Sequence, residues 1–117
     1  MDERLAVELI ARARAEAARL AGALARQRDG IVAASEFTSN DDEHDPEGVT
    51  IAFERAQVQA LLRQAQDDLA DLDRAAGRVR AGVYETCERC GESIAEDRLV
   101  ALPATRICIT CANKAPR

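Results

Sequence analysis

Residues 87–111 read CERCGESIAEDRLVALPATRICITC and contain all four cysteines of the 117-residue chain. The cysteines form two Cys-x-x-Cys pairs separated by seventeen residues. This spacing is typical of a four-thiolate zinc site, because each pair offers two sulfurs from one tight turn and the chain between them loops back. The predicted ligands of one Zn2+ are Cys87, Cys90, Cys108 and Cys111.

The predicted metal is structural, because four protein thiolates leave no position for a reacting water. Gly91, directly after Cys90, suits the turn because glycine adopts left-handed backbone conformations. Two disulfides would need an oxidising compartment, which nothing in the sequence marks. A redox-active pair would need a surrounding βαβ pattern, which is absent. Redox sensing by zinc-bound thiolates is left open.

The length and composition indicate one small domain or two very small units, without membrane segments. The chain has no Trp, one Tyr and two Phe, which excludes a large aromatic core. No apolar run approaches the length of a membrane-spanning helix. The N-terminal sequence MDERLAVELI is charged and has no signal-peptide core. We expect a cytoplasmic protein that does not bind membranes.

The excess negative charge is concentrated in one short segment. The chain has sixteen basic and twenty-one acidic residues, and five of the acids lie within residues 40–47, so the remainder carries sixteen of each sign. Direct binding to nucleic acid usually requires a basic stripe. The rest of the chain, with equal numbers of basic and acidic residues, does not supply one. We therefore expect no direct nucleic-acid binding. The five acids are Asp41, Asp42, Glu43, Asp45 and Glu47.

Two long segments have helical periodicity. Residues 2–39 carry apolar residues at three-and-four spacing, and the second segment keeps a heptad pattern that is typical of a coiled coil. The predicted apolar seam of the first helix is Val7, Ile10, Ala13, Ala17, Leu20, Leu24, Ile31 and Ala34. The predicted seam of the second is Ile51, Val58, Leu62, Ala65, Leu69, Leu72, Ala76 and Val79, interrupted only by Arg55.

The predicted fold class is mainly α: a long antiparallel coiled-coil helical hairpin with a small C-terminal four-cysteine zinc finger. A short connection favours antiparallel neighbours within one chain, although an intermolecular coiled coil is the alternative. We assign residues 1–82 to the hairpin, with an acidic tip at 40–48, and residues 83–117 to the finger and a short C-terminal helix. We expect a monomer.

The second helix is predicted to start at Asp45-Pro46-Glu47, because Pro favours the first helical position and Asp caps it. A start near Thr50, after a turn over residues 45–48, is the alternative. The two phenylalanines, Phe37 and Phe53, are interpreted as core aromatics. A small core between the finger and the helices is expected from Tyr84, Ile94, Leu99 and Leu102.

A helical hairpin with an acidic turn, followed by Gly-Val-Tyr and a four-cysteine finger, resembles the DksA/TraR family of bacterial transcription regulators. The most specific part is residues 82–111. The positions that match the family's finger are Cys87, Cys90, Gly91, Ile94, Arg98, Leu99, Pro103, Cys108 and Cys111.

The resemblance implies a non-enzymatic regulator that binds RNA polymerase and inserts its acidic tip into the secondary channel to modulate initiation. One departure concerns the family's tip motif, Asp-x-x-Asp-x-Ala. Aligned on Asp45, this chain has Gly48 at the second Asp and Thr50 at the Ala. The effect of the missing Asp and any dependence on the alarmone ppGpp are left open.

A second function class is a zinc-stabilised coiled-coil adaptor that binds another protein without regulating polymerase. An enzyme is not expected. The only histidine is His44, and the cysteines are assigned to the metal, so no set of nucleophile, base and acid is present.

Overall fold

The structure is a computed structural model that describes residues 1–37 and 46–114. It contains four helices: α1 (Glu3–Phe37), α2 (Pro46–Arg80), α3 (Glu96–Ala101) and α4 (Ile109–Ala112). Within the described residues, β pairing is limited to one antiparallel bridge between Thr86 and Ser93. The predicted mainly helical fold is confirmed, and α4 is the expected short C-terminal helix.

The chain divides into two compact units. The first combines Met1–Glu16 with Asp68–Arg117, and the second is Ala17–Asp67. The first unit therefore contains the finger together with one end of each long helix. The boundary that we predicted at residue 82 stays a prediction.

The long helices run antiparallel, as predicted. In the first unit, Arg14 of α1 forms an ion pair with Asp73 of α2, with an Nε to Oδ1 distance of 2.7 Å. In the second unit, Leu24 of α1 packs with Val58 and Leu62 of α2. A later residue of α1 therefore pairs with an earlier residue of α2, as expected for antiparallel helices.

The predicted seam of α2 is confirmed. Five of its eight members are buried: Val58, Leu62, Ala65, Leu72 and Val79. Ile51, Leu69 and Ala76 are partly buried, and Arg55 is exposed. Burial of a Leu or Val side chain contributes about 1.5–3 kcal/mol, so this heptad stripe is a major source of stability.

The predicted seam of α1 is partly wrong. Val7 and Leu20 are about half exposed, and Ala34 is exposed, whereas Ala6 is buried and Ala21 packs on the core. The seam steps from Ala17 by four residues and then by three to Leu24, instead of by three and then four. Both orders complete one heptad, so the apolar pattern did not distinguish them.

The start of α2 at Pro46 confirms the first of the two predicted starts. The prediction for Phe53 is wrong, because its side chain is 75% exposed. Phe53 lies two residues after Ile51, or about 200° around the helix, and so faces away from the seam. The side chain of Phe37 lies outside the described residues.

α2 ends in a Schellman motif. Gly82 has a φ of 76°, a left-handed conformation that glycine adopts without steric cost. The N–H of Gly82 donates to the carbonyl of Val79, and the N–H of Val83 donates to that of Arg78. This turn stops the helix and directs the chain into the cysteine-containing segment.

No helix within the described ranges is long and apolar enough to cross a membrane.

Replacement of Leu62 by Ala is expected to lower the free energy of unfolding by about 3 kcal/mol, because Leu62 is buried in the core of the second unit and its truncation leaves a cavity. The matched control is Leu61→Ala, since Leu61 is 51% exposed. We expect a change of about 0.5 kcal/mol or less for the control. Urea unfolding followed by far-ultraviolet circular dichroism measures both, and equal losses would contradict the assigned seam.

Candidate metal centre

The four cysteine sulfurs converge on one point. Their Sγ atoms all lie within 4.8 Å of one another. The Sγ atoms of Cys90 and Cys108 are 3.7 Å apart. Cys87, Cys108 and Cys111 are buried, whereas Cys90 is exposed.

This arrangement fits a tetrahedral zinc ion. Zn–S bonds of about 2.3 Å in a tetrahedron place the sulfurs about 3.8 Å apart, close to the Cys90–Cys108 separation. A disulfide requires about 2.05 Å between sulfurs, and all four cysteines are free. The cofactor prediction is therefore confirmed: the four cysteines are positioned to bind one zinc ion, and the two-disulfide alternative is wrong.

The electrostatics of the cluster also favour a cation. Burial raises the pKa of the Cys87 thiol, but backbone N–H groups outweigh this effect and lower that pKa to about 6. Burial and the neighbouring thiols together raise the pKa of Cys111 to about 12. Four sulfurs this close cannot all ionise alone, because each negative charge opposes the next. A divalent cation removes this conflict and releases the protons.

The first cysteine pair lies in a tight turn. The N–H of Gly91 donates to the carbonyl of Cys87, and the N–H of Cys87 donates to the carbonyl of Glu92. Gly91 has a φ of 76°, so the predicted left-handed conformation at this position is confirmed. A β-branched or bulky residue there would strain the turn.

The second pair begins α4. Cys108 is the N-cap residue, and its sulfur accepts a hydrogen bond from the N–H of Cys111. The side chain of Arg98, in α3, donates from Nε to the carbonyl of Ile107, immediately before Cys108, at 2.9 Å. This hydrogen bond holds the segment that leads into the second cysteine pair.

A direct backbone contact joins the two pairs. The N–H of Glu88 donates to the carbonyl of Arg106 at 2.9 Å. The side chain of Arg89 also reaches from the first pair to the carbonyl of Cys111, at 3.4 Å. The sulfur cluster is therefore supported by hydrogen bonds between residues that are distant in sequence.

A small apolar core accompanies the metal site. Tyr84, Ile94 and Leu99 are buried, as predicted, and Leu99 is completely inaccessible to solvent. The hydroxyl of Tyr84 donates to the carbonyl of Pro103 at 2.8 Å, and burial raises the Tyr84 pKa. The prediction for Leu102 is wrong, because this residue lies just past the end of α3 and is 50% exposed.

Arg78 attaches the metal-binding segment to the end of α2. Its side chain is only 11% exposed. Nη1 donates to the Glu88 carboxylate at 2.9 Å, and Nη2 donates to the carbonyls of Val83 and Thr86. Nε is buried and has no hydrogen-bond partner among the described residues. Glu88 lies between the first two cysteines, so this guanidinium contacts the turn that presents their sulfurs.

The predicted tip residues lie almost entirely outside the described residues. Asp41, Asp42, Glu43 and Asp45 fall in the gap between 37 and 46, together with His44. Glu47 lies in the first turn of α2, but its side chain is not among those described. Their predicted role therefore stays a prediction.

Comparison with known proteins supports this interpretation of the finger. Residues 82–117 match the family model described as prokaryotic dksA/traR C4-type zinc finger. An uncharacterised protein from Aquifex aeolicus (strain VF5) is 47% identical over 49 residues, which are 42% of this chain and 34% of that protein. The matched region thus spans about a third of that relative.

A solved structure shares the fold of nearly the whole chain. The transcription factor DksA2 from Pseudomonas aeruginosa superposes with a TM-score of 0.53 over 96% of this chain and 93% of that chain. The sequence identity is 19%, so this likeness concerns the fold alone. The finger model and the fold match together cover both the helical hairpin and the metal site.

Replacement of Arg78 by Gln is expected to lower the free energy of unfolding of the zinc-loaded protein by about 3 kcal/mol, because it removes charge-assisted hydrogen bonds from a buried position. Transfer of zinc to a chelator should become roughly tenfold faster, as for other residues that support metal ligands. A chromogenic chelator measures the transfer.

The matched control is Arg80→Gln, since Arg80 is exposed in the same helical turn and has no ion pair with a described residue. Loss of its charge at the helix C-terminus should cost less than about 1 kcal/mol and leave zinc transfer unchanged. Identical zinc-transfer rates in the two variants would contradict the role assigned to Arg78.

Proposed function

We propose that this chain, which belongs to the DksA/TraR zinc-finger family, is a cytoplasmic transcription regulator that binds RNA polymerase. The observation that carries the proposal is the combination of a dksA/traR C4-type finger at residues 82–117 with a DksA2-like fold over 96% of the chain. The acidic segment supports it further, because four of its five acids fall in the sequence between the end of α1 and the start of α2, and the fifth, Glu47, is the second residue of α2.

In the proposed mechanism, the hairpin enters the secondary channel of polymerase with its connecting segment first. Asp41, Asp42, Glu43, Asp45 and Glu47 then approach the magnesium-dependent active centre. Closely spaced carboxylates change the electrostatics around bound cations and mobile basic side chains without any covalent step. The role is regulatory and non-enzymatic.

Zinc has a structural part in this proposal. Residues 84–114 have a small apolar core, and a metal that joins Cys87 and Cys90 to Cys108 and Cys111 supplies folding free energy to such a segment. The folded finger then offers a rigid surface for contact with polymerase. Each of the four thiolates is used in binding the ion, so no coordination position is left for substrate.

Binding is the first test. The zinc-loaded protein should co-purify with RNA polymerase core and compete with another secondary-channel factor at micromolar or lower concentration. Multi-round transcription from a stable-RNA promoter should then change when the protein is added. Lack of binding would contradict the proposal, and binding without an effect on transcription would favour the adaptor function.

Neutralisation of the tip should separate binding from regulation. The variant Asp41→Asn/Asp42→Asn/Glu43→Gln/Asp45→Asn is expected to bind polymerase within about threefold of the wild type, since tip carboxylates act on the active centre rather than on the docking surface. Its effect on transcription should be lost. An unchanged transcriptional effect would exclude the tip from the mechanism.

The control carries the same change of charge at other places. Four exposed acids without ion pairs to described residues serve this purpose: Glu8, Glu16, Glu54 and Asp67. Their replacement by the corresponding amides should preserve both binding and regulation. Loss of regulation in this control would show that net charge, rather than the tip, is responsible.

A further inference from the structure

One side of α1 combines two arginines with two glycines. Its members are Arg19, Gly22, Arg26 and Gly30, which succeed one another at spacings of three and four residues and so lie on one face of the helix. We call these four residues the arginine–glycine face. All of them belong to the unit Ala17–Asp67.

This face points away from the core of that unit. In this unit, α1 packs on residues of α2 through Leu24 and three partly buried residues, Ala21, Ala25 and Ile31. Arg19 and Arg26 are exposed. Gly30 is exposed and Gly22 is partly buried, so the fold leaves most of this face open to solvent.

The two arginines of this face have no partner among the residues that the structure describes. Neither Arg19 nor Arg26 forms an ion pair or hydrogen bond with any residue in the described ranges. Between Glu16 and Asp29 the helix contains no acidic residue, and Asp29 pairs with Arg28 at 3.2 Å. Solvated helices commonly alternate opposite charges at this spacing, and this segment does not.

No packing contact of the described residues requires glycine at either position. Both lie in the interior of α1, where Gly costs about 1 kcal/mol relative to Ala. A Cβ atom at Gly30 would meet nothing within 4 Å. At Gly22 it would meet only the flexible end of Arg26, at an ordinary distance of 3.4 Å. Alanine would therefore stabilise the isolated chain at both positions.

We propose that the arginine–glycine face is a docking surface for an acidic helix of RNA polymerase. This inference rests on the proposed function and names the part of the chain that binds. Glycines let the backbone of a second helix approach closely, and the two guanidinium groups form bidentate pairs with its Asp or Glu side chains.

The charge favours a protein partner over nucleic acid. Proteins that bind duplex DNA commonly neutralise about six to ten phosphates. The arginine–glycine face supplies two positive charges, which match a pair of carboxylates on one helix face instead.

Replacing the two glycines tests the inference, because it should raise thermal stability and weaken binding to polymerase. The variant Gly22→Ala/Gly30→Ala should raise the midpoint of thermal unfolding by roughly 5 °C or more, because helix propensity improves. The same variant should bind polymerase roughly tenfold more weakly, because the added methyl groups separate the two helices. Gly77→Ala in α2 is the control, and it should be more stable with unchanged binding.

The arginines give an independent test. Arg19→Gln/Arg26→Gln should weaken binding to polymerase core by roughly tenfold or more, and binding of this variant should depend less steeply on salt concentration. The control is Arg55→Gln/Arg63→Gln, which removes two exposed arginines from α2 of the same unit. Fluorescence anisotropy of labelled protein measures all affinities.

The outcomes separate this inference from the proposed function. If the wild type does not bind polymerase, both fail. If the wild type binds and the glycine and arginine variants bind equally well, only the docking surface is wrong. Sedimentation of the wild type tests another occupant: self-association that the arginine variant abolishes, with polymerase binding unchanged, would assign the face to a second copy of the chain and overturn the inference.

Discussion

The repulsion among four closely spaced thiolates is the constraint on which the C-terminal part of the molecule depends. Sulfurs within 4.8 Å of one another are stable as a fully ionised set only around a cation. The apolar core that accompanies them is small, with Tyr84, Ile94 and Leu99 as its main members. A segment of this size seldom folds on hydrophobic burial alone. Zinc binding and folding of the finger are therefore one process.

Hydrogen bonds at the end of α2 connect this helix to the finger. The Schellman turn at Gly82 fixes the direction in which the chain leaves α2, and Arg78 bonds to two carbonyls and one carboxylate beyond that turn. A buried guanidinium with these partners is costly to displace. Arg98 has a similar function before the second cysteine pair, through its bond to Ile107. Two arginines thus position the metal-binding turns.

The sequence predicted the elements that depend on strong local patterns. Cysteine spacing identified the metal site, and the heptads of α2, which only Arg55 interrupts, identified its buried face. The register of α1 was less certain because alanine occurs on all of its sides, so that Ala21 replaced Leu20 in the seam. The role of Arg78 had no sequence signal, since nothing local distinguishes it from Arg74 or Arg80. Its partners become neighbours only when the chain turns back after Gly82.

The exposure of Cys90 makes one side of the metal site accessible to reagents in solution. Three of the sulfurs are buried, and this one faces solvent. Competing ligands, electrophiles and oxidants reach the outward thiolate before its neighbours, since thiolate chemistry follows access. A zinc ion held by these four cysteines would therefore be open to attack from the side of Cys90. The buried sulfurs of Cys87, Cys108 and Cys111 would keep their share of the ion's coordination shielded from the same reagents.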